Sequence, residues 1–91
     1  MTETKMLIGS LSNDLLRVAN LTHRGSIVAA SKFMSESNRW IQELIGHDTK
    51  PYIKKIIKDI QVQSKKKLDL EQAEKYLMYS TLLQNYSLNI D

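Results

Sequence analysis

Apolar residues recur along this chain at spacings of three and four, and interruptions of that rhythm divide it into four segments. Leu7, Ile8, Leu11, Leu15, Val18, Ala19 and Thr22 fall on one side of a helix, and their spacing predicts helix 1 from about residue 3 to 23. Gly9 inside it costs about 1 kcal/mol against alanine, so the first turns are its weakest part. His23-Arg24-Gly25-Ser26 then supplies basic residues for a helix C-terminus, a glycine for the left-handed cap and a serine to start the next helix. Ile27, Ala30, Phe33, Met34, Ile41, Leu44 and Ile45 form the second stripe, with Ser37 on it and Trp40 at its edge, predicting helix 2 over about 26–45.

Gly46 ends that run, and Asp48 or Thr49 is placed to cap a third helix whose first turn holds Pro51. Ile53, Ile56, Ile57, Ile60 and Ser64 make its inner stripe, which predicts helix 3 over about 51–66. Asp69 and Gln72 have the spacing of a capping box, in which Asp69 accepts from the backbone and Gln72 reaches back, so helix 4 is predicted over about 70–86. Alternation of period two is absent beyond Ile60-Gln61-Val62, and no strand is expected. The class is all-α. Short connections favour antiparallel neighbours, so the expected architecture is a small antiparallel four-helix bundle, with a three-helix core plus a docked fourth as the variant.

Ninety-one residues suffice for one domain with a modest core, here 1–91, and 42% hydrophobic with 25% charged residues are ordinary globular values. The absence of cysteine excludes disulfides, thiolate chemistry and cysteine zinc sites, and makes the cytoplasm the default expectation. The N-terminal MTETKMLIGSL lacks a signal-peptide pattern, and no run is apolar enough to cross a membrane, so neither processing nor a membrane partner is expected. Net charge is +3, but it is unevenly spread: seven lysines and Asp59 between residues 50 and 67 give +6, leaving 3 − 6 = −3 for the rest.

Chemistry is sparse. His23 and His47 each lie close to a helix-ending glycine without a second ligand at helical spacing, and Glu36, Glu43, Glu71 and Glu74 read as exposed helix positions. No phosphate-binding glycine loop or Ser-His-Asp set is present. No catalytic, cofactor-binding or metal-binding residue is therefore expected, and no enzyme. The small all-α ribonucleases of the HEPN type carry an arginine and a histidine a few residues apart; here seven residues separate Arg39 from His47, wider than that motif, which leaves a ribonuclease as a remote third reading.

Two features point to partners. On helix 3 the isoleucines take one side and Lys54, Lys55, Lys58, Lys65 and Lys66 the other, followed by Lys67, with Val62 among them. Such a face either keeps the protein solvated or attracts phosphates, without sequence preference, since the segment has no arginine and only Tyr52 for stacking. Helix 4 is apolar on both sides: Leu70, Ala73, Tyr76, Leu77 and Leu83 suit a core, while Met78, Tyr79, Leu82 and Tyr86 fall on the opposite half. Either another part of the chain covers that half or a partner does. The leading expectation is a non-enzymatic helical protein-binding module, a homo-oligomer or accessory subunit of a nucleic-acid-processing assembly, using Met78, Tyr79, Leu82 and Tyr86. The alternative is direct binding of DNA or RNA by Lys54, Lys55, Lys58, Lys65, Lys66 and Lys67.

Overall fold

The computed structural model describes residues 3–90 and contains four helices: α1 Glu3–His23, α2 Ile27–Leu44, α3 Pro51–Gln63 and α4 Leu70–Leu88. No strand occurs among the described residues. Side-chain pairs fix the directions. Thr4 reaches His47 and Trp40 reaches Asp14, so α1 and α2 are antiparallel. His23 faces Glu74 while Ser12 faces Ser80, so α1 and α4 are antiparallel too. Gln63 meets Gln72 and Tyr52 meets Tyr86, which makes α3 and α4 the third antiparallel pair. The chain is an antiparallel four-helix bundle, 36 × 21 × 19 Å, in which α1 packs along both α2 and α4, α3 lies more loosely against α4, and α2 and α3 close the ring across shared cavities.

The turn between α1 and α2 closes as the sequence suggests. Gly25 takes φ 79°, its N–H donates to the Thr22 carbonyl (3.0 Å) and the Ser26 N–H to the Leu21 carbonyl (2.9 Å), the paired bonds of a Schellman cap. Ser26 starts α2 by position alone, since its hydroxyl makes no capping bond. At α4 the Asp69 carboxylate accepts from the Gln72 N–H at 2.9 Å, half of the expected box. Gln72 does not reach back; its amide donates to the Gln63 carbonyl at 3.3 Å and ties α4 to the end of α3.

That tie bears on a second difference. Helix α3 stops at Gln63, three residues before its expected end, and is preceded by Lys50 at the cap position instead of Asp48 or Thr49. The Gln63 carbonyl, which a longer helix would use internally, accepts from Gln72 and from the Lys66 N–H, while the Ser64 hydroxyl donates to the Gln61 carbonyl. Ending the helix here also spares three successive lysines from being stacked on one helical turn.

One core runs through the ring. It comprises Leu7, Ile8, Leu11, Leu15, Val18 and Ala19 of α1, Met34, Ile41 and Leu44 of α2, the four isoleucines of α3, and Ala73, Tyr76, Leu83 and Tyr86 of α4. Each fully buried aliphatic contributes about 1.5–3 kcal/mol against exposure. The predicted stripe of α1 is buried in full, Thr22 included. That of α2 is not: Ile27 (40% exposed), in its first turn, lies beyond the reach of the 13-residue α3, and Ile45 (61%), the residue after its last, lies open at the start of the loop to α3. Midway along α1 and α4 the Ser12 hydroxyl donates to the Ser80 carbonyl (2.8 Å) and the Ser80 hydroxyl to the Ser12 carbonyl (2.9 Å), holding the two backbones close.

Candidate interaction surfaces

The six lysines proposed for nucleic acid are all exposed, but they do not make one helical stripe. Lys54, Lys55 and Lys58 lie on the outer side of α3 with Val62, whereas Lys65, Lys66 and Lys67 belong to the turn beyond its end. Tyr52, the aromatic of that segment, is set edge-on against Tyr86, with ring centroids 5.9 Å apart. Lys54 pairs loosely with Asp48 at 3.9 Å.

Of the four residues placed on the outer half of α4, Met78 and Leu82 are exposed and Tyr79 and Tyr86 are not. Tyr86 is core, and Tyr79 is half-buried with its hydroxyl donating to Asp59 on α3 at 2.5 Å. The reason is geometric. A helix in a four-membered ring touches two neighbours as well as the centre, so its covered arc is wider than one stripe and takes in the tyrosines on the α3 side. In compensation Leu70 and Leu77, expected inside, are exposed on the α1 side.

What remains open on α4 has a distinctive chemistry. From Tyr76 to Ile90 there is no Asp, Glu, Lys, Arg or His, so the exposed positions read Leu77, Met78, Thr81, Leu82, Gln84, Asn85, Leu88 and Asn89. The neighbouring edge of α1 adds Gly9, Asn13 and Leu16, and a shallow cavity of 330 Å³ lined by Asn13, Leu16, Thr81 and Gln84 joins the two helices. Charge returns at the end of this seam, where His23 faces Glu74 at 3.4 Å. A solvent-facing helix side ordinarily carries charge; depletion of charge is the mark of an interface centre. The uncharged run was legible in the sequence, but the contribution of Asn13 and Leu16 depends on which helix lies beside α4.

Asp59 is the other polar focus. It accepts from Tyr79 and, at 3.3 Å, from the Gln63 amide, with Lys75 Nζ 3.5 Å away. The Tyr79 hydrogen bond, aided by Gln63 and Lys75, holds its carboxyl below the usual range despite partial burial. Burial, then the Asp59 hydrogen bond and charge, push Tyr79 up to about 12, and burial with the charges of Asp59 and Asp69 pushes Tyr76 to about 12 from the ordinary 10.0. The linkage has two limbs. A lowered acid contributes stability above its unfolded pKa, about 3.9 for aspartate, and loses it as pH falls through the folded value. A raised tyrosine contributes fully below 10.0 and loses that contribution as pH climbs toward about 12. Denaturation followed by circular dichroism should therefore show stability declining from pH 10 upward together with tyrosinate absorbance, and Tyr79→Phe should flatten both limbs. An unchanged acid limb in that variant would contradict the role given to the Tyr79–Asp59 bond.

His47 accepts or donates at 2.6 Å with Thr4, and Arg39 lies over the Trp40 ring at 4.9 Å, so the two residues of the ribonuclease reading are engaged with different neighbours. Among the described residues no group of three or more His, Asp or Glu is placed to hold a metal ion, and no helix is long and apolar enough to cross a membrane. No family model, curated protein or solved structure matches the chain.

Proposed function

We propose that this chain is a non-enzymatic helical interaction module that pairs with a second copy of itself through the uncharged α1/α4 face. The observation that carries this reading is the stretch from Tyr76 to Ile90, which presents Leu77, Met78, Leu82 and Leu88 to solvent with no charge among them. A surface without charge offers nothing to a charged ligand, whereas a two-fold axis would set its leucines against leucines and its amides against amides. A face of at most 36 × 21 Å, on the order of 750 Å², comes near the ~800 Å² each partner gives to a standard interface, so a dimer on this face would be of modest affinity.

Gly9 adds support. It lies within α1 on this face, and a Cβ built there would meet nothing within 4 Å, so packing within the chain does not require a glycine. A closely approaching second helix would. Sedimentation equilibrium should give a dimer for the wild type and a monomer for Leu77→Glu and for Gly9→Leu, both still folded by circular dichroism. A wild type that stays monomeric at high protein concentration would sink the proposal.

A further inference from the structure

The opposite side of the ring carries a different surface. Between α2 and α3 run two adjoining cavities: one of 650 Å³ lined by Asn38, Gln42, Lys58, Gln61, Val62, Ser64 and Lys65, and one of 230 Å³ that includes Leu44, Ile45, Lys54 and Ile57 and shares Lys58 and Gln61 with the first. Together they form a groove. From Lys54 it follows α3 to its end at Gln63, nearly three turns at 1.5 Å per residue, and continues along the turn to Lys65. Its apolar surface is gathered in the smaller cavity, with Leu44 and Ile57 below and Ile45 exposed at 61%, and is continued in the larger one by Val62, exposed at 50% among polar neighbours. Its α3 rim carries Lys54, Lys58 and Lys65, its α2 rim carries the amides of Asn38 and Gln42, and no carboxylate lines either cavity. Among the described residues neither Lys58 nor Lys65 has an ion-pair partner.

We infer that this groove binds an acidic amphipathic helix of a partner protein. An apolar strip between polar walls is the form in which a helix lays its apolar stripe, and Lys54 and Lys58, one turn apart on α3, with Lys65 just past its end, stand where acids flanking such a stripe would meet them. An extended peptide finds less here, because both walls are helices whose backbone groups are already bonded, leaving no free edge for a strand. A nucleic acid is also a poorer occupant. No arginine, tyrosine, phenylalanine or tryptophan lines the groove, the His47 ring at its end is bonded to Thr4, and a phosphate backbone would cover Ile45 and Val62 with charge instead of apolar surface.

The test uses the whole chain with four probes: a three-turn peptide bearing a leucine stripe flanked by glutamates, the same peptide with lysines for glutamates, single-stranded DNA and duplex RNA. The acidic peptide should bind, shift amide resonances of residues 38–45 and 54–65, and weaken as salt rises. Lys58→Glu with Lys65→Glu should cost about tenfold or more in affinity, because two attractions become repulsions, while Lys32→Glu, outside the groove, should leave binding unchanged. All these lysines are exposed, so unchanged thermal unfolding verifies the fold. Three results would overturn the inference: equal binding of the basic peptide, no binding of the acidic one, or oligonucleotides shifting these resonances while the acidic peptide does not. Because this surface lies across the ring from the α1/α4 face, a monomeric wild type would defeat self-association and leave this test standing.

Discussion

Tyr76→Ala should cost about 3–5 kcal/mol, the range for truncating a large core side chain, whereas Tyr76→Phe should gain about 1 kcal/mol. Tyr76 is completely buried and is the largest fully buried side chain of the core. Its ring contacts justify the first number. Its hydroxyl justifies the second: it has no hydrogen-bond partner, and a buried hydroxyl without one carries a desolvation cost that phenylalanine removes. Against a total stability of roughly 5–14 kcal/mol, from ~0.05–0.15 kcal/mol per residue, the alanine variant should be largely unfolded at modest urea concentrations. The pH profile adds a second readout. Because Tyr76 is pushed to about 12 by burial and by Asp59 and Asp69, its replacement with phenylalanine should also remove part of the stability loss above pH 10. Urea titrations of the three proteins at neutral pH and at pH 11 decide the matter. A loss of stability in Tyr76→Phe would mean that the hydroxyl is bonded, for example to an internal water.

The parts of this fold that could be read in the sequence are those set by local periodicity and by caps. All of α1 belongs here, since its seven stripe residues, its glycine turn and the following serine depend on neighbours within one or two turns. Pro51 at the start of α3 and Asp69 at the start of α4 are of the same kind. The errors arose where a distant residue intervened. Lysine is a good helix former, so nothing local stops α3 before Lys66; the Gln72 amide, nine residues on, takes the Gln63 carbonyl. Ile45 has the spacing of a core residue and is exposed because α2 ends at Leu44 and the chain turns away there toward α3.

The candidate surfaces divide in the same way. That α4 has too much apolar surface for one stripe was plain from the sequence, and so was its lack of charge after Lys75. Which apolar residues are left over was not, because that depends on the ring order: α3 takes Tyr79 and Tyr86, and Leu77 and Leu88 remain beside α1. The lysines follow the opposite course. A wheel drawn through Lys66 makes one stripe of them, but once α3 ends at Gln63 it is the wall of α2, with Asn38, Gln42 and Ile45, that gives Lys54, Lys58 and Lys65 a common setting. One buried polar residue had little sequence signal. Asp14, 2% exposed, accepts from Trp40 at 2.8 Å and from Arg17 at 3.2 Å, and only its i, i+3 spacing to Arg17 hinted at a partner.

Ser80→Leu should destabilise the bundle by about 2–4 kcal/mol, and Ser80→Ala by only about 1 kcal/mol. The two serines at the α1/α4 crossing donate to each other's backbone carbonyls, with their hydroxyl oxygens 3.3 Å apart. A carbonyl in the middle of a helix already accepts an N–H from four residues on, so these side-chain bonds are additional, and losing one orphans no backbone acceptor. Alanine therefore removes a modest bond and leaves the helices in place. Leucine must find room between two backbones that approach closely because both residues are small, and overpacking at such a point costs about 1–3 kcal/mol beyond the lost bond. Urea denaturation of both variants and of Ser12→Ala/Ser80→Ala separates the terms, since a double alanine variant nearly as stable as the wild type assigns the crossing to packing rather than to hydrogen bonding. The same variants bear on function. Ser12 and Ser80 line the cavity on the uncharged face, so a leucine that pushes α1 from α4 should also abolish the dimer, while Ser80→Ala should retain it. Dimerisation that survived a splayed α1/α4 seam would place the self-association surface elsewhere on the bundle.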